Sequence, residues 1–164
     1  MDTDARFKQL LEDGHSAGVA AFVIASEQAG DGHMEAAEAA FAQSVLLAPS
    51  FHRARYQLGL LQFSSGRASV AQITWQPLLD LAQTEPLPHF VRGFVALARD
   101  DFAQALAHYR AGLECDNPNP AVAADIMKVV KGVEVLLASS AAPADSAEEM
   151  PASHVLLQGY VRLH

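Results

Sequence analysis

The strongest constraint on the fold of this chain is an interval of 34 residues that occurs twice in succession. One set of residues with this spacing is Ala37, Ala71 and Ala105. Four positions after each of these alanines comes an aromatic residue, giving a second set with the same spacing: Phe41, Trp75 and Tyr109. Residues four apart share a helix face, so the pattern predicts one recurring helix contact. A period of this length is typical of stacked two-helix repeats. The same offset relates Ala25, Gly59 and Gly93, and also Gly32, Gly66 and Asp100.

The composition favours packed helices. Apolar residues make up 51% of the chain and charged residues 18%, while runs of strand-forming residues are few before the last ten positions. This composition argues against disorder of the whole chain. A length of 164 residues is enough for one domain or a short array of repeats.

Charge and cysteine content limit the partners and the compartment. The net charge is -8, and no Lys or Arg lies between Lys8 and Arg53, which argues against nucleic-acid binding and favours basic partners. The single cysteine, Cys115, cannot form an internal disulfide and fits a reducing compartment. The acidic start of the chain is unlike a secretory signal, and the apolar run 17–25 is about half a membrane span. We therefore expect a cytoplasmic protein without membrane contact.

Turn residues and apolar periodicity divide the chain into helices. Gly14 is expected to end a first helix, Pro77 should kink or break a helix near Gln76, and Asn119 followed by Pro120 should start the last helix. The expected helices cover approximately residues 4–13, 16–29, 33–48, 51–64, 68–83, 88–99, 101–114 and 119–137.

The last of these helices is expected to close the array, because a terminal repeat needs one polar face. Its apolar stripe comprises Val122, Ile126, Val129, Val130, Val133, Leu136 and Leu137. Its polar side comprises Asp125, Lys128, Lys131 and Glu134. Residues 138–153 then read as a flexible linker, and 154–164 as an apolar segment that requires a surface to cover it.

The repeated residues resemble the tetratricopeptide repeat family. The first unit carries Ile24, Ala25, Gly32, Ala37, Phe41, Ser44 and Pro49; the second carries Leu58, Gly59, Gly66, Ala71 and Trp75; the third carries Gly93, Phe102, Ala105, Tyr109 and Gly112. The family's aromatic on the first helix is replaced by Gln28, Gln62 and Ala96, and Arg92 stands where a Leu is usual. The resemblance implies an all-α, right-handed superhelical stack with repeats at about 18–51, 52–85 and 86–118, followed by an end helix at 119–137.

The resemblance also implies a concave wall built from one face of each first helix. On this sequence that face carries Phe22, Arg53, Tyr56, Leu60, Phe63, Phe90, Phe94 and Leu97. An aromatic groove predicts an apolar peptide or helix as guest. The alternative is that these side chains are core between neighbouring helices.

The end of the sequence offers a possible guest for the same groove. Residues Leu156, Leu157, Tyr160, Val161 and Leu163 could occupy it within one copy or be exchanged between two copies, since a linker of 16 residues spans about 20–24 Å. The alternative is an unattached tail.

Catalytic signatures are absent from the sequence. Gly30-Asp31-Gly32 lacks the Lys and Ser/Thr of a phosphate-binding loop, and His33-Met34-Glu35 lacks the cysteine pair of a zinc deaminase. No two of the seven histidines are spaced i, i+4, which argues against a metal site. We expect neither enzyme activity nor a cofactor.

The sequence therefore predicts a protein–protein interaction adaptor whose partner it does not identify. Two alternatives stay open. One is a cytoplasmic chaperone of the type III secretion kind, and the other is a self-assembling structural protein, possibly a homodimer, formed by exchange of the C-terminal segment.

Overall fold

The computed structural model describes residues 3–116 and 118–141, and within them it is all-helical, without strands. This confirms the predicted all-α class. The helices are α1 (Thr3–Gly30), α2 (Met34–Leu47), α3 (His52–Ser64), α4 (Ala68–Trp75), a 3₁₀-helix (Gln76–Asp80), α5 (Pro86–Leu97), α6 (Phe102–Leu113) and α7 (Pro120–Ser140). Packing is closest within the pairs α1–α2, α3–α4 and α5–α6, and α2–α3 and α6–α7 contacts join successive units.

The three turns between paired helices have the same backbone geometry. Gly32, Gly66 and Asp100 adopt left-handed conformations with φ of 83°, 82° and 55°. In each turn the following amide donates to a carbonyl five residues earlier, as from His33 to Gln28 at 2.8 Å and from Arg67 to Gln62 at 3.0 Å. This is the Schellman ending of a helix, and it recurs at the 34-residue interval.

The repeated aromatic side chains also occupy equivalent places. Ala37, Ala71 and Ala105 are fully buried, and the rings four residues later are at most 4% exposed. A Cβ atom added at Gly59 would overlap the indole of Trp75, and one added at Gly93 would overlap the ring of Tyr109. Each of these two rings therefore fills the space left by a small residue on the preceding helix.

Gly14 does not end the first helix, so the prediction of two helices before residue 30 is wrong. α1 is continuous from Thr3 to Gly30. A glycine inside a helix costs about 1 kcal/mol relative to Ala, which the flanking helix-forming sequence can absorb. Gly14 instead marks a close approach, because a Cβ there would lie 3.2 Å from the carbonyl oxygen of Leu47.

The predicted break at Pro77 is confirmed. α4 ends at Trp75, and the chain continues as a 3₁₀-helix whose Leu78 is fully buried. The predicted start of α7 is also confirmed, since the side-chain oxygen of Asn119 accepts hydrogen bonds from the amides of Ala121 and Val122 at 3.1 and 3.3 Å. α7 continues to Ser140, three residues beyond its expected end. Residues 142–153 of the expected linker, and all of 154–164, lie outside the described residues.

The buried side chains form two apolar clusters. The smaller one joins α1, α2 and α3 through Phe22, Ala25, Ala37, Phe41, Ala54 and Leu58. The larger one extends from α3 through α6 to α7. Ser44, fully buried in α2, donates a 2.7 Å hydrogen bond to the carbonyl of Gly18 and so fixes α2 against α1.

Candidate functional site

The aromatic row predicted to line an open groove lies in the core. Seven of its eight members are buried: Phe22, Tyr56, Leu60, Phe63, Phe90, Phe94 and Leu97. Phe94 shows the reason, since its ring centroid lies 5.5 Å from Phe63, 5.7 Å from Trp75 and 5.3 Å from Tyr109. These side chains fill the space between neighbouring helices, which was the alternative interpretation of the stripe. Only Arg53 is half-buried.

The end helix covers part of this row. Val122, Ile126, Val129 and Val133 of α7 are buried in the same cluster as Tyr56, Leu60 and Phe63 of α3. The predicted apolar stripe of α7 is therefore confirmed at these four positions, while Leu137 is 37% exposed. The chain uses its own last helix to cover an apolar surface.

A cavity of about 240 Å³ lies where the covering is incomplete, between α1, α3 and the first turns of α7. We call it the α1–α3–α7 cavity. Its lining is Phe22, Ser26, Ala29, Met34, Phe41, Arg53, Gln57, Leu60, Leu61, Ser64, Ala121, Val122 and Asp125. Three of the predicted groove residues, Phe22, Arg53 and Leu60, are thus brought together here, and the other five are not.

Arg53 forms the cationic part of the cavity wall. Its guanidinium carbon lies 5.1 Å from the centroid of the Phe22 ring, a cation–π geometry. Phe22 is itself held by Phe41 and Phe51, at ring separations of 5.6 and 5.1 Å. Within the described residues Arg53 forms no salt bridge, and its Nε is buried without a hydrogen-bond partner. The side chain is positioned by stacking rather than by a carboxylate.

Asp125 forms the anionic part of the wall. The sequence placed it on the polar side of the last helix, and this expectation is wrong, because Asp125 is only 6% exposed. α7 is rotated so that this residue faces the cavity together with Ala121 and Val122. The Nζ of Lys128 lies 3.5 Å from its Oδ1. The cavity therefore presents both signs of charge beside an apolar wall.

The two serines of the lining satisfy their hydroxyl protons on their own helices. Ser26 donates to the carbonyl of Phe22 at 2.9 Å, and Ser64 to that of Leu61 at 3.0 Å. Their lone pairs, and the amide of Gln57, remain as polar contacts along the cavity. Ligand pockets for small molecules typically enclose about 300–1,000 Å³. A cavity of 240 Å³ suits one or two side chains of a guest polypeptide better.

Several titratable groups away from the cavity have shifted pKa values. Burial raises the pKa of the Cys115 thiol, and the nearby carboxylates of Asp116, Glu85 and Glu114 add to this, so the thiol is not activated. Burial lowers the pKa of His108, and Arg92 and His89 act in the same direction. The hydrogen bond from Arg67 lowers the pKa of Glu38. Among the described residues no group of three or more His, Cys, Asp or Glu is placed to hold a metal ion.

Sequence reasoning missed the contribution of α7 and of one side of α3. Gln57, Leu61 and Ser64 are cavity residues, yet they lie outside the stripe that the helical period selected. The signal in the sequence was the apolar stripe of α7, which includes Val122 and predicted contact with an apolar surface without identifying that surface. No described helix is long and apolar enough to cross a membrane.

Comparison of the chain with protein families, with curated proteins and with solved structures finds no match.

Proposed function

We propose that this protein is a binding adaptor that holds a segment of another protein in the α1–α3–α7 cavity. The observation that carries the proposal is the cavity itself, a gap of about 240 Å³ with Phe22 and Leu60 on one wall and Arg53 beside them. Stacked helical repeats commonly bind polypeptides on the surfaces that their helices leave open. The tetratricopeptide resemblance and a cytoplasmic location are parts of the same proposal.

The lining indicates the chemistry of the guest. The apolar wall would accept one bulky aliphatic or aromatic side chain, and burial of such a side chain contributes about 1.5–3 kcal/mol. The guanidinium of Arg53 can donate to a main-chain carbonyl of the guest. Arg53 forms no salt bridge within the described residues, whereas Asp125 lies 3.5 Å from the Nζ of Lys128, so the lining offers a cation to an oxygen atom of the guest. We therefore expect a guest with an apolar anchor and a carbonyl or carboxylate oxygen beside it.

Selection of peptides on the intact protein tests this proposal and does not require an identified partner. A random library of short displayed peptides is enriched on the full chain, and the recovered peptides are titrated by fluorescence anisotropy. We expect enrichment of peptides with one bulky apolar residue. Binding should be lost when Ser26→Phe fills the cavity.

The chain offers a matched control for this substitution. Ser139 on α7 is exposed and donates to the carbonyl four residues earlier at 2.9 Å, as Ser26 does. Ser139→Phe therefore makes the same chemical change away from the cavity and should leave binding unaltered. Equal affinity for the wild-type chain and the Ser26→Phe variant would exclude the cavity as the binding site.

The C-terminal segment 154–164 is one candidate guest, and its placement lies outside the described residues. A labelled synthetic peptide of these 11 residues is a suitable probe. Removal of residues from 142 onward, which leaves α7 intact, should increase hydrophobic-dye binding if the segment occupies the cavity, and should leave it unchanged if it does not.

A further inference from the structure

The contacts between α5 and α6 show which residues of the two helices are level. A Cβ added at Gly93 would overlap the ring of Tyr109, and one added at Gly112 would lie 3.1 Å from the Cβ of His89. The later residue of α6 therefore meets the earlier residue of α5, so the two helices run antiparallel. Gly93 is level with Tyr109, and His89 is level with Gly112.

Two imidazoles and a guanidinium consequently lie on one side of this pair. Arg92 and His108 directly precede Gly93 and Tyr109. In an antiparallel pair, the residues that precede two level positions project to the same side, because a two-fold axis perpendicular to the plane of the pair relates them. His89 lies about one turn before Arg92 on that side. All three side chains are half-buried. We call Arg92, His89 and His108 the α5–α6 cationic cluster.

The hydrogen bonds of this cluster go to a neutral residue. Nη1 of Arg92 donates to Oε1 of Gln83 at 2.9 Å, and Nε2 of His89 donates to the carbonyl oxygen of Gln83 at 2.7 Å. Within the described residues none of the three cluster members forms a salt bridge. A half-buried guanidinium without a carboxylate partner keeps its attraction for an anion, since hydrogen bonds to a charged acceptor are the stronger ones.

The carboxylates that flank the cluster lie at its ends and do not pair with it. Glu85 precedes α5 and is exposed, and Asp101 precedes α6 beside Arg99, which adds a further positive charge. Asp101 caps α6, because its Oδ1 accepts a hydrogen bond from the amide of Gln104 at 3.1 Å. Neither carboxylate forms a salt bridge within the described residues. The side of the pair between them therefore carries unbalanced positive charge.

The environment of His108 is consistent with this imbalance. Burial lowers the pKa of His108, the charges of Arg92 and His89 act in the same direction, and Asp101 opposes them. A dianion bound among these side chains would favour the protonated imidazole and so raise the pKa. Anion binding and protonation of His108 should accordingly be coupled.

We propose that the α5–α6 cationic cluster binds a phosphate-class dianion, a tetrahedral oxyanion that is either free or part of a phosphate ester. The remaining N–H groups of the guanidinium and the N–H groups of the two imidazoles can donate to different oxygen atoms of such an anion. None of the three residues lines the α1–α3–α7 cavity, and the proposal does not rely on the proposed function of that cavity.

NMR titration of the histidines in the full-length protein tests the proposal, with sulfate as the probe. Sulfate keeps its double charge over the pH range in which histidine titrates. The titration of His108 is measured in sodium sulfate and in sodium chloride at equal ionic strength, so that general screening is the same. We expect a higher titration midpoint in sulfate, and its dependence on sulfate concentration gives the affinity.

The sharpest variant is Gln83→Glu, which replaces the neutral acceptor of Arg92 by a carboxylate of the same size. This carboxylate should compete with the anion and abolish the effect of sulfate on His108. Arg92→Gln should weaken sulfate binding by about tenfold, because it removes a charged donor. Arg6→Gln makes the same change of net charge at an exposed position of α1 and should leave the affinity unaltered.

Isothermal titration calorimetry distinguishes the two sources of the dianion. Inorganic phosphate is compared with a phosphoserine tripeptide blocked at both ends. Tighter binding of the tripeptide assigns the site to phosphorylated polypeptides, and equal or weaker binding assigns it to the free anion. An equal titration midpoint of His108 in sulfate and chloride overturns the proposal. So does an equal sulfate affinity of the wild type and the Gln83→Glu and Arg92→Gln variants.

Discussion

The indole of Trp75 lies directly against the backbone of Gly59, and its Nε1 donates a 3.0 Å hydrogen bond to the carbonyl of Tyr56 on the same helix as that glycine. The contact between Gly93 and Tyr109, one repeat interval later, has the same form. In two successive helix pairs, therefore, an aromatic ring on the second helix packs directly against a glycine on the first helix. This relationship explains why small residues recur at positions 59 and 93.

Replacement of either glycine by alanine should destabilise the protein. The added methyl group would overlap the ring of Trp75 or Tyr109, and overpacking of this kind typically costs about 1–3 kcal/mol. Urea unfolding of Gly59→Ala and Gly93→Ala measures the loss. Ser69→Ala, at an exposed position of α4, serves as the control and should change the free energy of unfolding by less than about 0.5 kcal/mol. Wild-type stability in both glycine variants would show that the rings are not seated as described.

A substitution at Asp100 should stabilise the protein. Asp100 adopts φ of 55°, and the equivalent positions of the other two turns are occupied by Gly32 and Gly66. Asp100→Gly removes the steric cost of a side chain in this conformation and should raise the free energy of unfolding by about 0.5–1 kcal/mol. Gly66→Ala should lower it by about 1 kcal/mol for the converse reason. If both substitutions shift stability in the same direction, the three turns are not equivalent.

Substitution of Phe94 tests whether the aromatic row belongs to the core or lines a groove. Its ring is fully buried among Phe63, Trp75 and Tyr109, so Phe94→Ala should cost about 3–5 kcal/mol in unfolding free energy. Ile73, which is 76% exposed, provides the comparison, and Ile73→Ala should be nearly neutral. If Phe94→Ala changed the free energy of unfolding only slightly, the aromatic row would line a surface groove instead of the core.

The ion pair between Glu38 and Arg67 should make stability depend on acid pH. The hydrogen bond and charge of Arg67 hold the pKa of Glu38 below its ordinary value of 4.5. Because the folded-state pKa is the lower one, the contribution of the pair is complete above pH 4.5 and is lost as the pH falls through the folded-state pKa.

Carboxyl NMR titration of the wild type and of Arg67→Gln tests this directly, and the substitution should raise the pKa of Glu38 toward 4.5. Both side chains are partly exposed, so added salt should weaken the effect. An identical titration midpoint in the two proteins would contradict the assignment.

The local parts of this fold could be predicted from sequence. The left-handed turns, the break at Pro77 and the cap at Asn119 each depend on a few neighbouring residues, and the 34-residue interval specifies which ring meets which small residue. The prediction that Gly14 ends a helix failed because a helix tolerates one glycine when its flanks are helix-forming. The close approach of Gly14 to Leu47 is a contact between residues far apart in the sequence, so the local pattern could not reveal it.

The candidate site depended on long-range packing that periodicity does not encode. A stripe such as Phe90, Phe94 and Leu97 is apolar whether it lines a groove or meets another helix. α7 contacts α6 and lines the cavity through Ala121, Val122 and Asp125, and no local pattern reveals these contacts. The sequence therefore identified three cavity residues and misassigned the surroundings of the other five.

Binding at the α1–α3–α7 cavity is tested most directly by amide chemical-shift mapping of the ¹⁵N-labelled full chain with a peptide recovered from the selection. We expect the perturbed amides to cluster at Ser26, Gln57, Ser64 and Ala121, and to lose their response in the Ser26→Phe variant. Perturbation confined to the exposed faces of α2 and α4, for example at Val70 and Ile73, would contradict the proposed site.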